Sequence, residues 1–252
     1  KQSNNLKGFS TLFRSPGISL DHKQIKLCKK RKIEITSQTK WFFEHCPAQI
    51  IGITGTKGKG TTSSLIYEIL SLDKNQVYLT GNIGKIQPLQ IIDKLSKNNK
   101  IVYELSSFQL QDLKSSPHTA IVLMVTEDHL DYHNNIREYH HAKSAITKHQ
   151  KTRDWAIINY DYPASRKIGE KGFAQKFYFS RKIRPKKGSY WDGEKLEFIN
   201  IDNELRGGIR NFKLNRTEWN LRGEHNIENV SAAVISCAIS GSSIGNIKKG
   251  LA

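Results

Sequence analysis

Cysteine is scarce in this 252-residue chain: Cys28, Cys46 and Cys237 are far apart and odd in number. Such spacing argues against a disulfide framework or a cysteine-based metal site, and it fits reduced thiols in a reducing compartment. No stretch approaches the roughly 20 apolar residues needed to cross a bilayer. The first residues have no apolar core followed by a small-residue cleavage site, so no signal peptide is expected. Internal repeats and low-complexity tracts are missing as well. A cytoplasmic protein with no membrane partner is the expectation. Acidic residues are few relative to basic ones, 23 against 40, for a net charge of +17. That excess is compatible with nucleic-acid binding. The basic residues are nevertheless spread along the chain, with short clusters only at 29–32 and 181–187, and no nucleic-acid motif accompanies them. A small anionic substrate explains the charge as well, so no nucleic-acid partner is expected.

What the chain does contain is the run Ile50-Ile51-Gly52-Ile53-Thr54-Gly55-Thr56-Lys57-Gly58-Lys59-Gly60-Thr61-Thr62. An apolar strand feeds a glycine-rich turn, and the turn opens a segment with helical apolar spacing at Leu65, Ile66, Ile69 and Leu70. A triphosphate suits this order, because glycines let backbone N–H groups approach phosphate oxygens and the helix adds its positive end. Residues Gly55 to Thr62 are therefore candidate nucleotide contacts. Lys59 would reach the terminal phosphates and Thr61 would offer a hydroxyl to Mg2+. The match to the strict P-loop pattern is imperfect, since Ile53 stands at the first glycine and Gly60 at the Ser/Thr position. An ordinary βα turn is the competing reading.

Length allows one or two domains with a real core. Residues 1–46 read as part of a smaller unit, with a strand ending near Phe13, the turn Ser15-Pro16-Gly17, a basic helix from Asp21 to Arg31 and a strand at Ile33 to Ile35. From residue 47 the pattern alternates in the βαβ manner, predicting a mainly parallel, doubly wound α/β sheet. Strands are expected at 49–54, 76–79, 100–105, 119–125 and 155–159, with helices near 61–72, 88–97, 137–149 and 161–170. Later, Asp192-Gly193 marks a hairpin, and 212–214 and 218–221 are expected as antiparallel edge strands. A last long helix is expected from Glu224 to Ser240, and 241–252 read as the start of a further element.

Four constellations follow strands or open helices, where an open α/β sheet places its ligands. Glu104, just past a strand, could hold Mg2+ or cap the helix after it. Thr126 to His133 packs acids and imidazoles in a way that suits a metal or a solvated polar loop. Thr80-Gly81-Asn82-Ile83-Gly84 would let a ligand approach, or would simply turn. Asn226 and Asn229 share a helix face and would read an adenine edge or cap the helix.

In this order, these residues resemble the Mur ligases, and among them the D-glutamate-adding members. The matching segments are Gly55 to Thr62, Glu104 to Leu110, Asp128-His129-Leu130-Asp131 and Gly223 to Asn229. Ser15-Pro16-Gly17 is similar to the turn that helps hold the uridine nucleotide, and Tyr139 to Lys143 to the segment whose lysine this family carbamylates. The resemblance implies an ATP-dependent ligase of peptidoglycan precursor synthesis that uses two Mg2+ ions. Its substrates would be UDP-N-acetylmuramoyl-L-alanine and D-glutamate, joined through an acyl phosphate. Lys59, His129 and Lys143 would be catalytic. Thr61 and Glu104 would hold one metal, and His129 with a carbamylated Lys143 the second. Ser15, Gly17, Asn82, Ser106 and His129 would contact the muramyl substrate. The family pattern also implies that residues 1–46 are part of an N-terminal domain, that 47–252 are the central ATP domain, and that the C-terminal domain is absent. A monomer that binds nucleotide but forms no amide by itself is the resulting expectation. Gly60 is closer to folylpolyglutamate synthases, which keeps a folate ligase as an alternative beside a noncatalytic nucleotide-binding module.

Overall fold

A computed structural model describes residues 6, 8–74, 76–84, 86–126, 135–201 and 211–252. The chain begins with β1 (Thr11–Phe13), α1 (Lys23–Lys30), β2 (Glu34–Thr36) and α2 (Gln38–His45), and β1 and β2 pair as a small parallel sheet. The main unit follows: β3 (Gln49–Thr54), α3 (Lys59–Ser71), β4 (Val77–Gly81), α4 (Pro88–Ile91), β5 (Lys100–Glu104), α5 (Ser107–Leu110), β6 (Thr119–Val122), α6 (Ile136–Lys148), β7 (Trp155–Asn159) and α7 (Pro163–Gly169). It ends with β8 (Gln175–Ser180), β9 (Gly188–Trp191), β10 (Lys195–Ile199), β11 (Phe212–Asn215), α8 (His225–Ile239) and α9 (Ile244–Leu251).

Strands β3 to β11 form a second, nine-stranded sheet in the order β11-β10-β9-β8-β7-β6-β3-β5-β4. All pairs from β4 to β9 are parallel, and β10 and β11 complete an antiparallel edge. The mixed α/β sheet expected from the βαβ pattern is thus present. The order runs back on itself at β3, whose neighbours are β5 and β6, so the loop after β3 sits where a doubly wound sheet opens its crevice.

Strand alternation divides the core in two. Ile51 and Ile53 face a layer built with Ile66, Ile69 and Leu70 of α3 and the apolar residues of α8 and α9. Ile50 faces the opposite layer, with Ile101, Tyr103, Leu110, Tyr139 and Ile146. Because helices cover both faces, β3 is almost continuously apolar. Helix α8 is buried at 13 of its 15 residues, including Ser231, Ala232 and Ala233, whose small side chains let it lie against α3 and the sheet. Most of its stripe must therefore be apolar or small all round.

Several expectations need correction. Residues 88–97 are not one helix: α4 is a single turn followed by a 3-10 turn at Ile92–Lys94. Residues 218–221 are not a strand. Arg216 donates to the carbonyls of Trp219 (3.1 Å) and Leu221 (2.9 Å), and Glu218 accepts from the Asn215 N–H (2.7 Å), so a 3-10 turn at Arg216–Glu218 takes the groups a ladder would use. Residues 244–251 form α9, packed so closely on α3 that a Cβ at Gly250 would lie 2.7 Å from Ile69 Cγ1. Helix α2 and strand β8 were not expected. No helix among the described residues is long and apolar enough to cross a membrane.

The first small sheet is tied to the main unit through Arg14, whose side chain is fully buried. Its guanidinium pairs with Asp112 at 2.9 Å and donates to the carbonyls of Pro16 (3.0 Å), Ile18 (2.6 Å) and Phe108 (3.3 Å). Every face of a buried cation is thus answered by oxygen, as such a group requires. Arg14→Met is expected to lower stability by about 3–5 kcal/mol, because Asp112 and the carbonyls lose their donor. Urea denaturation measures this, and adding Asp112→Asn should recover part of the loss. An unchanged midpoint in the single variant would show that the tie carries no stability.

Candidate nucleotide site

Strand β3 ends at Thr54, and the backbone turns through Gly55 to Gly58 before α3 begins. Gly58 adopts φ +86°, and a Cβ there would lie 2.3 Å from Asn229 Oδ1. Conformation and space therefore both demand glycine. No side chain caps α3, so the first-turn N–H groups of a 13-residue helix face the loop without an internal acceptor from a capping residue. Lys59 folds back over the loop, its Nζ donating to the carbonyls of Gly55 (3.1 Å) and Thr56 (3.0 Å). Lys57 is exposed on the outside. A cation over a nest of backbone dipoles is the arrangement that a triphosphate needs.

Glu104 closes β5 beside this loop. Its Oε2 is buried and has no hydrogen-bond partner among the described residues, and it lies 3.7 Å from where a Cβ at Gly60 would be. Burial pushes the carboxyl above the ordinary glutamate value, while Lys59 and then Asn82 oppose that rise. The helix-cap alternative for Glu104 is excluded. Helix α5 is capped by Ser106, whose Oγ accepts from the Gln109 N–H at 3.3 Å in a reciprocal capping box. Ser106 is thus committed to that cap, which also fixes where it stands relative to Glu104. No group of three or more His, Cys, Asp or Glu side chains able to hold a metal occurs among the described residues. A single buried carboxylate with an open oxygen does fit Mg2+, which keeps waters and takes its remaining ligands from phosphates.

Lys143 comes from α6 and is buried, not an exposed helix lysine. Its Nζ donates to Thr54 Oγ1 (3.3 Å) and the Gly55 carbonyl (3.2 Å) and lies 4.7 Å from the Tyr139 ring centroid. Tyr139 in turn meets Thr56 through its hydroxyl at 3.2 Å. The loop is therefore supported from beneath by α6, a link that spacing alone did not give. Residues 127–134, with His129, lie outside the described residues. Ser15 and Gly17 form an exposed turn held by Arg14 to the end of α5, and Asn82 is exposed at the end of β4.

Asn226 and Asn229 stand at the start of α8 against the loop. Thr62 Oγ1 donates to Asn229 Oδ1 (3.2 Å), Asn229 Nδ2 to Asn226 Oδ1 (2.8 Å) and Asn226 Nδ2 to the Arg222 carbonyl (2.6 Å). Both amides are thus engaged in a chain that braces the loop. Thr61, by helical phase, is turned about 100° from Gly60, so Gly60 rather than Thr61 faces Glu104. Beside Gly58 a cavity of about 170 Å³ is lined by Lys57, Tyr162, Arg181, His225 and Glu228. Sequence reasoning did not assign Tyr162, Arg181 or Glu228. Glu228 lay within the Gly223 to Asn229 segment, whereas Tyr162 carried no local signal. A larger cavity of about 420 Å³, between α1, α2 and α6, shares no residue with the loop.

The Glu104 geometry makes a paired prediction. Glu104→Gln keeps the shape and removes the charge, so Mg2+-dependent ATP binding should weaken by roughly tenfold. The raised carboxyl adds a sign that melting curves can check. Below the ordinary glutamate value both states are protonated and burial costs no charge. As pH rises through the raised value, the folded wild type must ionise a buried group and loses stability. The variant should therefore match the wild type in acid and be at least as stable at neutral pH. A variant that melts lower at every pH would make Glu104 a structural residue.

Comparisons with known proteins bear on family and fold. The model for the Mur ligase middle domain matches residues 53–237. The UDP-N-acetylmuramoylalanine–D-glutamate ligase of Acetivibrio thermocellus is 39% identical over 236 residues, which is 92% of this chain and 49% of that protein. The ligase of the same name from Clostridium tetani is 37% identical over 245 residues, 97% of this chain and 51% of that protein. The solved UDP-N-acetylmuramate:L-alanyl-gamma-D-glutamyl-meso-diaminopimelate ligase of Neisseria meningitides has the same fold. Its TM-score is 0.65 at 13% identity, covering 96% of this chain and 78% of its own. The chain spans about half the length of the curated relatives it matches. With most of its residues inside the matched segment, the chain belongs to the Mur ligase family, through that family's middle domain.

Proposed function

We propose that this chain is the nucleotide-binding part of an ATP-dependent ligase that joins D-glutamate to UDP-N-acetylmuramoyl-L-alanine. The observation that carries the reading is the convergence of Lys59, the uncapped α3 terminus and the open Glu104 oxygen on one loop. The names of the curated relatives supply the substrate pair. A cytoplasmic monomer is the state in which we expect it to act.

The physical problem is bringing a substrate carboxylate against a triphosphate, both anionic. Lys59 would neutralise the terminal phosphates, and the loop N–H groups would hold them in place. Mg2+ supplies further positive charge when bound, with Glu104 holding one ion and His129 with a carbamylated Lys143 holding a second. The carboxylate oxygen would then attack the γ-phosphorus and release ADP. The D-glutamate amine would attack the resulting acyl carbon and expel phosphate. Lys143, in its amine form, fixes Thr54 and Gly55; as a carbamate it would keep one N–H and carry a single negative charge shared over two oxygens, which suits a hard cation. The base and ribose of the nucleotide would occupy the cavity beside Gly58, against Tyr162 and His225.

Calorimetry tests the nucleotide reading. Lys59→Ala should lower ATP affinity by about a hundredfold, whereas Lys57→Ala, at the exposed rim of the base and ribose cavity, should change it only about threefold. Equal losses would mean the loop is misassigned. For the substrate, UDP-N-acetylmuramoyl-L-alanine should raise the melting temperature in the presence of ATP and Mg2+, and folate should not. Stabilisation by folate alone would move the assignment to the folate ligases.

A further inference from the structure

We propose that position 60 sets a weak grip on the nucleotide's divalent cation: Gly60 leaves Glu104 without the loop hydroxyl that would share the ion. This rests on the nucleotide-binding reading above and goes further, to a residue that tunes metal dependence.

The usual P-loop places a Ser or Thr directly after the lysine, and its hydroxyl joins the metal. Here that residue is Gly60. The two loop glycines differ in what they require. Gly58 has φ +86° and no room for a Cβ, but Gly60 is helical without a positive φ. A Cβ at Gly60 would meet Ile83 Cγ2 at 3.4 Å and Glu104 Oε2 at 3.7 Å, both ordinary contacts. Neither backbone nor space imposes glycine there.

The neighbourhood of that Cβ carries the argument. Beside Ile83, it would lie 3.7 Å from the Glu104 oxygen that is buried and without a partner among the described residues. A serine hydroxyl, one bond further out, would share that oxygen's surroundings. The neighbouring hydroxyls do not replace it. Thr62 Oγ1 is donated to Asn229, and Thr61 is turned about 100° around the helix. Among the described residues, then, a carboxylate without a hydroxyl beside it would hold the ion, and the nucleotide's own phosphates would supply most of its remaining contacts.

Titration of ATP into the wild type, Gly60→Ser and Gly60→Ala, each with Mg2+ and with EDTA, tests this. Gly60→Ser is expected to tighten Mg2+-supported binding by about fivefold and to leave metal-free binding unchanged. Gly60→Ala adds the same Cβ without the hydroxyl and should stay within about twofold in both conditions. In Glu104→Gln the serine should bring no gain. An alanine gain equal to the serine gain would assign the effect to helix propensity and overturn the proposal. So would a serine variant that is folded, by its melting curve, yet binds no tighter, or a serine gain that survives Glu104→Gln. If the wild type binds no ATP, or Lys59→Ala binds equally well, the nucleotide reading fails first and this inference falls with it.

Discussion

The approach of Gly58 to Asn229 is the contact on which the site depends. The loop can pass there only because position 58 has no side chain and accepts a left-handed backbone. Asn229 then fixes Thr62, and Asn226 fixes Asn229, so the entrance of α3 is braced by the entrance of α8. Since α8 is buried almost throughout, it has little freedom to shift. The loop borrows that rigidity. Preorganised N–H groups are worth more to a phosphate than groups that must be collected on binding.

Charge is distributed around this frame with equal economy. Lys59 and Lys143 approach the loop from opposite sides, and both donate to the Gly55 carbonyl. Glu104 is the carboxylate facing Lys59, and burial disfavours its charge. A cation arriving with a nucleotide would relieve that penalty. The protein is thus poised to gain more from metal and triphosphate together than from either alone.

Much of this was legible in the sequence, for a physical reason: a buried parallel strand followed by glycines and a helical apolar stripe leaves few other folds. The loop, β5 with Glu104, and the α6 lysine all fell where the βαβ pattern put them. What was not legible depended on tertiary partners. Nothing local marks Lys143 as buried, because its acceptors lie 88 and 89 residues away. The pair Asn226 and Asn229 read equally well as base contacts or caps, and only the fold engages them with Thr62. The failed strand at 218–221 had the right apolar pattern, but Arg216 captured its carbonyls. Helix α2 is only eight residues long and is held by what it packs against, whereas the alternating Phe177 and Phe179 of β8 were a legible strand signal.

The brace between Thr62 and Asn229 joins residues 167 apart in the chain. During synthesis the glycine loop and α3 emerge early, while their support is still untranslated. At about 5–20 residues per second, on the order of ten to thirty seconds separate the two. Throughout that interval the loop has its sequence but not its shape, and α3 exposes the apolar face that α8 will cover. The braced form of the loop is therefore available only once α8 has been made and has docked.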